Sequence, residues 1–274
     1  KGDRLEDLRC YWRAMSILSH LYANAELSEA DRRDVAQGLS SIQHQFAVRC
    51  KDGDDLALLY NYRALALRDQ LGIAHLQSGS HHNVALQYRN RKDYDHALLH
   101  FLQAIRLDIC GANDQERRIT YTSLGAFAQA MFDTESALLF YRKAATFGSM
   151  TFSISFGIAA TLLALGRHDE LLRDISDFIN NDMLSPFQQV QLRLIALQSM
   201  RAVEPPRPLD EAIDQIITTL IECEGGLTVK DPGVVERIEA RLKDQPDMPH
   251  RHRAILLRVV GKPAEAMVEI EAGL

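Results

Sequence analysis

Apolar residues recur at intervals of three and four almost from one end of the chain to the other, and strict alternation is nearly absent. Spacings of three, four and seven place side chains on one face of a helix, whereas a strand needs a period of two. The pattern predicts helices near 4–23, 28–50, 55–71, 73–91, 94–108, 114–131, 134–147, 151–165, 168–181, 186–201, 208–223, 231–243, 249–260 and 263–273. The links are short, so neighbouring helices are expected to run antiparallel. Prolines sit at helix edges, and Pro205, Pro206 and Pro208 make the one clear interruption.

Several helix starts carry their own signal. Ser28 is followed by Asp31 at capping-box spacing, and Ser185 precedes Pro186 and Gln188. The second group combines a cap, a proline at the first helical position and an amide that can reach back to the cap. Asp231–Pro232 repeats the theme, and Asp93 and Asp133 stand where caps stand.

A longer period overlies the helical one. Val84, Ala85, Tyr88, Tyr94, Ala97, Phe101 and Ala104 match Leu124, Gly125, Ala128, Thr134, Ala137, Tyr141 and Ala144. These match in turn Ile158, Ala159, Leu162, His168, Leu171, Ile175 and Phe178. Small residues flanking a large one let two helices approach while the large side chain fills the gap between them. In this pattern Ala97, Phe101, Ala104, Ala137, Tyr141 and Ala144 form a packing code.

The pattern resembles the tetratricopeptide repeat family over about 78–180. It is weaker at "PLDEAIDQIITTL", returns in "AILLRVVGKPAEAMVEI", and is faint before residue 78 and in 225–245. The family's tryptophan is replaced by His81, Tyr121 and Ser155, and its closing proline is absent. The resemblance implies an all-α fold, a right-handed α–α superhelix of antiparallel helix pairs with a concave groove. It divides the chain into atypical or capping helices at 1–77, core repeats at 78–181 and degenerate repeats at 182–274.

By the same resemblance the first helix of each pair lines the groove. Its inward positions are His82, Leu86, Arg89 and Asn90, then Ile119, Thr122, Ala126 and Gln129, then Ser153, Phe156 and Ala160. This mixed lining suits an extended peptide or a partner helix; packing between neighbours is the alternative for its apolar members. The carboxylate clamp of co-chaperone members would fall on His82, Leu86, Ser123, Ser153 and Gly157, which lack the cations and amides it requires.

Composition narrows the partners. The 274 residues carry a formal net charge of −6, so there is no long-range attraction to nucleic acid or an anionic membrane. No apolar run reaches the length of a membrane span. Cys10, Cys50, Cys110 and Cys223 show no metal spacing and are read as buried, reduced thiols of a cytoplasmic protein. The start "KGDRLEDLRC" has neither a methionine nor a signal-peptide pattern, and is read as belonging to a fragment or processed form.

His96 and His100 share a helix face, with His81 and His82 on the paired helix, but no carboxylate or cysteine cluster joins them. No metal or cofactor is expected. Neither a nucleophile motif nor a phosphate loop occurs, so catalysis is not expected. Apolar residues at both ends, among them Trp12, Ile17, Met267 and Val268, suggest homo-oligomerisation through a terminal helix. The expected function is a non-catalytic, cytoplasmic scaffold or adaptor that binds a protein or peptide. The alternative is a ligand-responsive regulatory domain of a larger protein, such as a transcriptional regulator or secretion component.

Overall fold

A computed structural model describes residues 2–24, 26–50, 55–111, 114–180, 183–203, 209–223 and 228–273, without the side chains of 2–7, 75 and 109–111. The prolines at 205, 206 and 208 and the Cys110 side chain lie outside the described residues. The described residues form fourteen helices and no strand. They divide into two units, one of 1–127 with 143–148, the other of 128–142 with 149–274.

The first unit contains α1 (Gly2–Ala23), α2 (Glu29–Arg49), α3 (Asp55–Leu71), α4 (Ala74–Asn90) and α5 (Tyr94–Gly111). The helices α6 (Asp114–Ala130) and α7 (Thr134–Ala145) contribute residues to both units. The second unit continues with α8 (Phe152–Ala164), α9 (His168–Ile179), α10 (Pro186–Ala202), α11 (Asp210–Glu222), α12 (Pro232–Asp244), α13 (His250–Val259) and α14 (Pro263–Ala272).

Within the first unit α1 packs on α2, α2 on α3, α3 on α4 and α4 on α5. Packing between sequence neighbours is the solenoid arrangement, in which each hairpin buries its apolar face against the next. Its first core gathers Met15, Leu39, Phe46, Ala47 and Tyr60, with Trp12 leaning on Phe46 and Tyr60 at 6.3 and 6.2 Å between ring centres.

In the second unit α10 packs on both α8 and α9, and α13 on both α11 and α12. Val190, Leu197, Ile216, Ile217, Leu220, Ile238 and Leu256 are buried in the core that results.

The helix ends follow the local chemistry. Ser28 Oγ accepts from the Asp31 amide at 3.1 Å, and Ser185 with Gln188 closes a reciprocal capping box. Asp231 caps α12 through the Val234 amide at 3.1 Å. Four helices end in the same turn: the amides of Asp93, Asp133, Arg167 and Lys262 bond the carbonyls of Tyr88, Ala128, Leu162 and Leu257 at 2.8–3.0 Å. The residue before each of these amides has positive φ. Two are Gly166 and Gly261; the others are Lys92 and Phe132.

A β-carbon in the left-handed region costs about 1–2 kcal/mol. Phe132 incurs that cost while 93% exposed, so its ring recovers little by packing. Phe132→Gly is expected to raise stability by roughly 1 kcal/mol. Urea unfolding measures it, and a loss of stability would mean that the ring is held by contacts.

Of the described thiols only one is buried as the sequence reading expects. Cys50 is buried, Cys223 is half-buried and Cys10 is exposed. Among the described residues no helix is long and apolar enough to cross a membrane.

Candidate functional site

Within the first unit the expected groove residues fall on α4 and α6. His82 Nε2 lies 3.4 Å from Ser123 Oγ and brings the two helices side by side. His82 itself is buried, its ring edge-on to Phe101 at 5.8 Å, so it packs the helix pair and does not line an open surface. Burial, aided by the Arg89 charge, lowers its pKa to about 4.

The neighbouring positions remain accessible. Leu86, Arg89, Thr122 and Ala126 are half-buried, Asn90 is exposed, and Ile119 is 45% exposed. Arg89 donates to Asn90 Oδ1 from Nε and Nη2, and the Thr122 hydroxyl donates to the Arg118 carbonyl at 2.7 Å. Between them α4 and α6 thus present three accessible aliphatic side chains, a guanidinium and an amide. Ala97, Phe101 and Ala104 are fully buried. Ala144 is also fully buried.

The remaining expected groove residues belong to the second unit. Gln129 donates to Thr161 Oγ1 and accepts from the Tyr141 hydroxyl, both at 2.9 Å, so its amide is committed to packing. Ser153 and Phe156 lie on α8; Ser153 is exposed, and the half-buried Phe156 ring stands 5.3 Å from Phe152. Ala160 is half-buried. Ala137 and Tyr141 are buried. Gly157 and Thr161 complete this arrangement; no motif marks either of them as part of one network with Gln129.

A third cluster joins α3, α4 and α5. His81 Nδ1 and His100 Nδ1 are 2.9 Å apart, and the Tyr62 hydroxyl lies 3.0 Å from His100 Nε2 and 3.1 Å from the Tyr88 hydroxyl. The Tyr88 ring stacks on those of His96 and His100, and His96 pairs with Asp93 at 2.9 Å.

The His81 and His100 ring centres are 5.1 Å apart, which exceeds the nitrogen separation by about two ring radii. The nitrogens thus meet end-on, as donor and acceptor in an N–H···N bond, and their lone pairs do not converge on a third point. Among the described residues no three His, Cys, Asp or Glu side chains are grouped to hold a metal.

Burial lowers His100 to about 4, reinforced by His81 and His96, and lowers His81 against a weaker opposing effect of Asp69. Burial and the hydrogen bond with Tyr88 push the Tyr62 phenol up. These shifts favour the neutral forms of His81, His100 and Tyr62 at pH 7.

No protein-family model matches the chain, and no curated protein matches it.

Proposed function

We propose that the chain is a non-catalytic scaffold of tetratricopeptide-repeat type that holds a protein or peptide partner. The observation that carries this reading is the strip on α4 and α6. It comprises exposed Ile119 and half-buried Leu86 and Ala126, with the neighbouring Arg89 and Asn90 as its polar groups. Such a strip offers apolar burial for affinity and directional groups for register, which a bound helix or extended peptide requires. The repeated helix-ending turn at Tyr88–Asp93, Ala128–Asp133 and Leu162–Arg167 supports the repeat reading, since these positions align in the sequence period. A free, exposed thiol at Cys10 fits a reducing, cytoplasmic setting.

Arg89→Glu combined with Ile119→Glu tests the proposal. Both positions reach solvent, so the melting curve is expected to stay within a few degrees of the parent, as for surface changes of about 0.5 kcal/mol. Partner capture from native lysate is expected to fall at least about tenfold. A folded variant that captures the same partner undiminished would move the binding site off this face.

A further inference from the structure

In the first unit α3 departs from the small–large–small packing code at its central position. Ala57, Asn61 and Ala64 stand forty residues before Ala97, Phe101 and Ala104, at the same spacing. All six are buried. Asn61 therefore takes the seat that a ring fills in α5. A carboxamide is smaller than that ring by roughly the share of two water molecules. It also needs hydrogen-bond partners once buried. The chain supplies none: Asn61 Nδ2 and Oδ1 are both buried without a partner among protein atoms. The same holds for Gln43 Oε1 of α2 and for Arg68 Nε of α3.

These groups belong to one interior. Arg68 follows Asn61 by seven residues on the same face of α3, with only the methyl of buried Ala64 between them. A helical side chain leans towards the N-terminus of its helix, which for Arg68 means towards Asn61. The helices α2 and α4 both pack on α3. His44 of α2 lies 3.1 Å from Asn83 of α4, and the Arg68 charge acts on it. That charge is unbalanced. Arg68 Nη1 donates to the Leu76 carbonyl at 3.0 Å and to Ser80 Oγ at 2.7 Å, both neutral acceptors. Among the described residues no carboxylate pairs with it, and with its pKa lowered by burial to about 10 it is a cation at pH 7. A desolvated cation without a counter-ion is costly.

We propose that the interior between α2, α3 and α4 binds a chloride-sized monovalent anion together with one water molecule. The anion accepts from Arg68 Nε and Asn61 Nδ2. The water donates to Asn61 Oδ1 and Gln43 Oε1, so that all four atoms gain partners. A monoanion fits because one guanidinium is to be balanced. A small one fits because the seat lacks only the difference between a ring and an amide. The site is separate from the α4–α6 face, and either proposal can fail alone.

The test is urea unfolding of the full chain at pH 7, followed through Trp12, which packs in this unit. Sodium chloride replaces sodium gluconate at constant ionic strength, gluconate being too large for the seat. The midpoint is expected to rise with the logarithm of chloride concentration once the site fills, as for any ligand held only by the folded state. Bromide should act alike. Asn61→Phe restores the ring and is expected to fold and to lose the chloride dependence. A second measurement needs no variant: crystals of the parent chain soaked in bromide should give an anomalous peak within hydrogen-bond reach of Arg68 Nε and Asn61 Nδ2. Equal midpoints in chloride and gluconate would overturn the proposal and leave water alone in the seat. A folded Asn61→Phe chain that keeps the full chloride response, or crystals without bromide at this place, would overturn it as well.

Discussion

Gly157→Ala is expected to destabilise the second unit by about 3 kcal/mol, although alanine favours a helix over glycine by about 1 kcal/mol. The β-carbon would stand 2.5 Å from Cε1 and Cζ of Tyr141 and 2.7 Å from Cε2. The ring is buried and cannot swing freely, because its hydroxyl donates to Gln129. Gln129 in turn donates to Thr161, and the Thr161 hydroxyl donates to the carbonyl of Gly157 at 2.5 Å. The network closes on the residue that would be changed, so relieving the clash breaks a buried hydrogen bond.

Denaturant unfolding of Gly157→Ala, Tyr141→Ala and the double variant measures the coupling. The glycine substitution should cost little once the ring is gone. A parent-like or more stable Gly157→Ala would show that the ring yields cheaply and that this close approach does not hold α7 to α8.

Acidification from pH 7 to pH 4.5 is expected to weaken the first unit by roughly 5 kcal/mol, enough to unfold a typical domain. His44, His82 and His100 each have folded pKa values near 4, chiefly through burial, against about 6.5 when unfolded. Arg68 and His82 face His44, Arg89 faces His82, and His81 and His96 face His100, so each additional proton meets like charge. The unfolded chain therefore binds more protons between these values. The stability is present in full above pH 6.5 and is lost as pH falls towards 4, roughly 2 kcal/mol for each of the buried His44 and His82 and less for the half-exposed, solvent-screened His100.

Trp12, the single tryptophan, packs against Phe46 and Tyr60 and reports on this unit by fluorescence. Urea midpoints at pH 7, 6 and 5 should fall steeply, and His82→Gln should flatten the dependence. A constant midpoint across this range would mean that the imidazoles are hydrated when folded.

The helices were legible because each carries a strong local signal. Ser28, Ser185 with Gln188, and Asp231 cap the helices at which the sequence places them, and Asp93 and Asp133 receive the amides of His96 and Ser136. Residues with a simple packing task were equally plain: Ala97, Phe101 and Ala104 show no exposure.

The candidate face was legible only in part. Periodicity identifies the side of a helix that meets its neighbour, but it does not distinguish a polar residue facing solvent from one engaged inside. His82 and Gln129 both occupy inward positions, yet Ser123 and Phe101 hold the first, and Thr161 and Tyr141 hold the second. Arg68 is a stronger case. Charge suggests surface, whereas its guanidinium is buried against the Leu76 carbonyl and Ser80 Oγ, with its pKa lowered to about 10 by burial. The hydrogen-bonded cluster of Tyr62, His81, Tyr88 and His100 draws on three helices, and no spacing within one helix reveals it.

Hydrogen exchange of the chain with and without its captured partner, followed by mass spectrometry, tests the functional reading most directly. Added protection is expected in α4 around 86–90 and in α6 around 119–126. Protection confined to other helices, with these two segments unchanged on binding, would contradict it.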